Sequence, residues 1–121
     1  MVRHFLAVTA LVSGMGTACA EPVRMSGAEI TEALAGKTVA GNQKGREWRQ
    51  EFRASGWTSY RETNGRSTSP SEGRWRVQGD QYCSVWPPSD FWACYDMARD
   101  GEEIMFVESD GTEWRARYVD N

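Results

Sequence analysis

Histidine is nearly absent from this chain: of its 121 residues only His4 carries an imidazole. Cysteine is sparse, at Cys19, Cys83 and Cys94. No apolar run reaches the roughly 20 residues that a membrane-spanning helix needs. Each shortage removes a class of function. The longest apolar run falls in residues 1–20, which read as a secretory signal. Arg3 and His4 supply the charged start, Phe5 to Val12 the apolar stretch, and Ala18-Cys19-Ala20 a small-residue cleavage site. A lipid anchor at Cys19 is the alternative, but Gly16 stands where such signals prefer leucine. Cleavage after Ala20 removes His4, leaving residues 21–121 as a single β domain without an imidazole. That excludes Ser-His-Asp and Cys-His catalysis and histidine-ligated metal sites, so no metal or cofactor is expected. The destination is periplasmic or secreted, with no transmembrane span in the mature chain.

Blocks of one charge are missing too. Lys and Arg number 14 against 17 Asp and Glu, and Arg46, Glu47, Arg49, Glu51 and Arg53 alternate in sign. This is a solvated face, not a nucleic-acid stripe. Paired carboxylates that could serve a glycosidase, Glu102 with Glu103 or Asp96, do not converge, because adjacent strand residues face opposite ways. No enzyme is expected. Aromatic residues, by contrast, are plentiful: six Trp, four Tyr and four Phe supply much of the core.

Helical periodicity occurs once. Ser26 and Glu29 form a capping box, Ile30, Ala33 and Leu34 follow at helical spacing, and Gly36 is a natural stop. This predicts a helix from Gly27 to Ala35, too short to stand without a dock. The remainder reads as strands. Lys37 to Ala40 is a strand ending at Gly41-Asn42, and Glu47 to Arg53 places Trp48 and Phe52 inward. Trp57 to Glu62 follows, and Thr63 to Gly73 is a polar, breaker-rich loop.

The segment Tyr82 to Tyr95 organises the rest. With Pro87-Pro88-Ser89-Asp90 as a four-residue loop, Trp86 faces Phe91 and Cys83 faces Cys94. Directly opposed strand residues lie within disulfide reach, and an exported chain favours the bond. Tyr82, Trp86, Phe91 and Tyr95 then share the other face. A Gly79-Asp80 turn pairs Val77 with Tyr82 and Trp75 with Ser84. An Asp100-Gly101 turn sets Met97 opposite Ile104 and Tyr95 opposite Phe106. A two-residue Asp110-Gly111 loop would drive Arg115 and Arg117 inward. A three-residue Ser109-Asp110-Gly111 loop with Gly111 left-handed turns Trp114, Ala116 and Tyr118 inward instead, avoiding buried unpaired charge. The opposite face, with Cys83, Val85, Trp92, Cys94, Met105 and Val107, is expected to lie under the helix. The fold expected is mainly β: an antiparallel up-and-down meander of about eight strands, curled into a small sheet or barrel, with one short N-terminal helix. Its interior is expected to be filled.

The run Gly73-x-Trp75-x-Val77-x-Gly79-Asp80-x-x-Cys83-x-x-Trp86, with Cys94-Tyr95 and Arg99-Asp100-Gly101, resembles small secreted bacterial proteins of uncharacterised function. These share a signal peptide, an early M-S-G-x-E-I helix (here Met25 to Ile30) and the paired-cysteine segment. The resemblance covers most of the mature chain and implies no activity. Gly73-x-Trp75 also resembles the G-x-W of lipocalins. There it opens the first strand, whereas here it lies mid-chain, so the chain is not assigned to that family.

Two readings of function follow. The first is a non-enzymatic binding module that meets a periplasmic or extracellular protein through Trp86, Pro87, Pro88, Phe91 and Trp92. The alternative is a small apolar-ligand carrier in a lipocalin-like barrel lined by Trp48, Trp75 and Trp114.

Overall fold

A computed structural model describes residues 21–63 and 70–120. Residues 1–20, read above as a signal and holding Arg3, His4 and Cys19, and most of the polar loop lie outside the described residues. The elements are β1 (Val23–Arg24), α1 (Gly27–Leu34), β2 (Lys37–Gln43), β3 (Arg46–Phe52), β4 (Trp57–Glu62), β5 (Ser71–Gln78), β6 (Gln81–Val85), β7 (Ala93–Asp100), β8 (Glu103–Val107) and β9 (Glu113–Val119). From β2 to β9 every strand pairs antiparallel with the next, and β9 pairs back onto β2. The mainly β meander is therefore a closed eight-stranded barrel with one helix. Closure leaves no long unpaired edge. The short β1 adds to β7, with Val23 opposite Arg99.

Turn chemistry sets the registers. Gly79-Asp80 pairs Val77 with Tyr82 and Trp75 with Ser84, and Cys83 opposes Cys94 and is bonded to it. The Ser109-Asp110-Gly111 loop is closed by the Glu108 N–H on the Thr112 carbonyl at 2.8 Å, with Gly111 at φ 90°. Ala116 is buried and Arg115 lies outside, where it pairs with Asp100, Glu103 and Glu113.

Several expectations need correcting. The turn after β7 is Gly101-Glu102, so Met97 faces Phe106 rather than Ile104. Gly101 takes the first central position with φ 61°, which a two-residue hairpin of this hand requires of glycine. A shift of two residues preserves the faces, which is why the core assignment survives. β2 runs on to Gln43 and turns at Lys44-Gly45, both with positive φ, because Asn42 Oδ1 accepts from the Gly45 N–H. β5 starts at Ser71, earlier than the breaker-rich composition suggested. Trp86 and Phe91 are not a pair, since β6 ends at Val85 and β7 begins at Ala93.

The helix is the largest correction. It does not cover the outer face; Ile30, Ala33 and Leu34 pack with Val39, Phe52, Met97 and Ile104 inside the barrel. The capping box forms as expected. Asp80 Oδ1 accepts from the Gly27 N–H, and Tyr118 OH donates to the Ala33 carbonyl. A Cβ on Gly27 would stand 2.2 Å from the Gly79 carbonyl oxygen, so only glycine permits this approach. A short amphipathic helix buries its stripe best where the barrel is open, and it plugs that end. The outer face is shielded by its own neighbours. The Arg76 guanidinium lies 4.0 Å from the Trp92 ring beside Cys83. Met105 sits between Ala98 and Arg115.

Candidate functional site

At the end away from the helix, the inward side chains do not meet. They enclose an open cavity of about 360 Å³. Its walls are Trp48 from β3, Tyr60 from β4, Tyr82 from β6, Trp86, Tyr95 from β7, Phe106 from β8 and Trp114 from β9; Gln50, Ser71 and Ser84 are the polar members. Alternation along up-and-down strands brings these residues together: each faces in, near the same end of the barrel. The rings brace one another. Trp48 stacks on Tyr60 at 6.0 Å and meets Trp114 edge-on at 6.1 Å, and Tyr60 meets Trp86 edge-on at 6.3 Å. Gly73 makes room for this wall, because a Cβ there would lie 2.8 Å from the Trp86 ring and 2.4 Å from the Val85 carbonyl oxygen.

Several of the polar groups are bonded to one another or to residues beside the wall. Gln50 Nε2 donates to Thr58 Oγ1 and to Tyr82 OH, both at 3.0 Å, and the Thr58 hydroxyl donates to the Glu51 carbonyl at 2.7 Å. Trp86 Nε1 donates to Ser84 Oγ, and Trp114 Nε1 to the Glu108 carboxylate. Trp48 Nε1 is buried with no acceptor among the described residues, which costs about 1–3 kcal/mol.

No ionisable side chain of the wall is charged at neutral pH. Burial pushes the Tyr82, Tyr60 and Tyr95 phenols above the ordinary value near 10. The wall contains no Asp, Glu, Lys or Arg. The neutral phenol is favoured in the folded state, so the stability it contributes is fully present below pH 10. It is lost as pH rises through the unfolded value toward the folded one. Alkaline titration is expected to unfold the domain above about pH 10, with tyrosinate absorbance and loss of sheet circular dichroism rising together. Ionisation of all four tyrosines without unfolding would contradict the burial of Tyr82.

The predicted site residues divide. Trp48 and Trp114 line the cavity, but Trp75 does not: its ring meets Phe52 edge-on and its Nε1 donates to the Arg53 carbonyl. It lies deeper, toward the helix. Trp86, grouped above with a contact surface, turns into the cavity instead. Pro87, Pro88 and Phe91 are exposed, Phe91 at 75%, while Trp92 is half-buried against Arg76. The expected filled interior is filled only at the helix end. Sequence reasoning missed Gln50 and Tyr60 as wall members, although inward alternation from Trp48 and Phe52 already reaches Gln50. Of the carboxylates weighed for catalysis, none lines the cavity: Asp96 is held by Arg24 and Gln81, Glu103 by Arg115 and Arg117, and Glu102 is exposed.

Against known proteins, the chain matches no family model, no curated protein and no solved structure. The cavity must be read on its own chemistry. Among the described residues no helix is long and apolar enough to cross a membrane, and no cluster of His, Cys, Asp or Glu could hold a metal ion.

Proposed function

We propose that this protein is an exported, non-enzymatic binding module that holds one small, largely apolar ligand in the open end of its barrel. The observation that carries this reading is the cavity: uncharged, aromatic-walled, about 360 Å³, within the roughly 300–1,000 Å³ typical of small-molecule sites. Aromatic rings supply apolar contact area with little rotamer entropy to lose, and the polar groups inside are few and fixed. The disulfide supports export, since such bonds persist in oxidising compartments. The likeness to small secreted bacterial proteins remains part of the proposal.

Three of the wall residues are tryptophans, so binding reports itself. Titrating apolar ligands of different classes (lipids, haem, fused aromatics) is expected to give a saturable change in tryptophan fluorescence with one of them. Trp114→Ala should weaken that binding about ten-fold or more, as expected for loss of a large ring from a pocket. A flat response to every class would sink the reading.

A second reading has one observation behind it: the exposed Phe91, beside Pro87 and Pro88, on the loop between β6 and β7. A protein partner would use that loop, with Trp92 at its base. Phe91→Ala would then abolish the partner contact and leave the ligand titration unchanged.

A further inference from the structure

Gln50 brings an amide to the cavity wall with its donors already spent. A carboxamide has two N–H donors and one carbonyl acceptor, and here both donors are engaged, on Thr58 Oγ1 and Tyr82 OH. The orientation of the amide follows from its neighbour. The Thr58 hydroxyl gives its one proton to the Glu51 carbonyl, so it has only lone pairs to offer, and the nitrogen of Gln50 must face it. What Gln50 retains for the cavity is its carbonyl oxygen, on a residue 8% exposed. No donor among the described residues is bonded to this oxygen and it is not sealed from the cavity, so a ligand that displaces water from it without offering a proton leaves it unmet. The wall around it carries no formal charge to balance an ion, so an anion there would lose its hydration without compensation and a cation would have ring faces alone. Bonded to the wall, the Glu108 carboxylate accepts from Trp114 Nε1 and repels anions.

Resting on the ligand-binding reading of this cavity, we infer that its ligand is an uncharged, flat, apolar molecule bearing an O–H or N–H donor, which hydrogen-bonds to Gln50 Oε1. The rings of Trp48, Trp86 and Trp114 hold the apolar body, and Gln50 sets the polarity of the hydrogen bond it makes. An acceptor-only molecule of the same shape leaves the Gln50 carbonyl unmet.

The test uses the protein with its disulfide formed, and titrates 2-naphthol, 2-methoxynaphthalene, naphthalene and tetramethylammonium by tryptophan fluorescence and calorimetry. On the unaltered protein, 2-naphthol is expected to bind about ten-fold or more tightly than 2-methoxynaphthalene and naphthalene, since only it offers a donor. In Gln50→Met, a linear apolar replacement, the three aromatics are expected to bind alike. Should that variant fail to fold by circular dichroism, the comparison on the unaltered protein decides the matter. Equal binding of the three aromatics to the unaltered protein overturns the role of Gln50 while leaving the cavity a binding site. Tighter binding of tetramethylammonium than of 2-naphthol overturns the uncharged ligand and points to an aromatic cage for cations. No binding by any of the four overturns the binding reading, and this inference with it.

Discussion

Replacing Phe52 by alanine is expected to remove about 3–5 kcal/mol of stability, most of what a domain of this size has in hand at about 5–15 kcal/mol. Phe52 is fully buried, and its ring sits at the meeting point of the two halves of the interior. It is edge-on to Trp75 at 5.7 Å and to Tyr82 at 5.6 Å, and stacked on Phe106 at 6.1 Å. Each such ring pair is worth about 0.5–1.5 kcal/mol beyond its buried area. The cavity left behind cannot collapse, because closed strands on every side hold the wall apart. Phe91→Ala removes an equally large ring that is 75% exposed and should shift stability by less than about 0.5 kcal/mol. Urea unfolding of the two variants side by side checks this. A Phe52→Ala protein within about 1 kcal/mol of the parent would mean the interior repacks freely, contrary to a rigid aromatic core.

Removing the disulfide as the Cys83→Ala, Cys94→Ala pair is expected to cost about 3 kcal/mol, the loop-closure entropy for a crosslink spanning 11 positions. For a domain near 100 residues this lowers the melting temperature by roughly 12–24 °C. The bond joins β6 to β7, and these two strands carry Tyr82, Ser84 and Tyr95 of the cavity wall. Ligand binding should therefore weaken in the double variant even at temperatures where it stays folded. Thermal melts with and without reductant measure the first effect, and fluorescence titration the second. An unchanged melting temperature on full reduction would show that the strand pairings among the described residues align the two strands unaided.

Much of this architecture was written in local chemistry. The Cys83–Cys94 pairing, the Gly79-Asp80 turn and the three-residue loop at Gly111 were all legible, because a hairpin's register depends on the few residues that make its turn. The capping box of α1 was legible for the same reason. Where a local rule admitted two answers, it failed. Gly101 serves equally as the second residue of a turn or the first, and the chain uses it as the first. Lys44 at positive φ carries no signal of its own and depends on the Asn42 side chain.

Sequence by itself determined which strand residues face inward, since period-two alternation survives any even register slip; Phe91, read as inward, lies beyond the strands and is exposed. Sequence also determined that two cysteines meet across a hairpin and that one helix, Gly27–Leu34, precedes the strands from β2 onward among the described residues. Tertiary structure alone decided which end of the barrel the helix stops, and so which inward residues pack and which are left lining a space. Alternation specifies a face but not a depth. Trp75 and Trp114 look alike in sequence, yet Trp75 lies beneath Phe52 and Trp114 stands on the cavity wall. Depth is set by barrel closure and by Ile30, Ala33 and Leu34 filling one end. Those contacts join residues far apart in the chain, where no short motif records them.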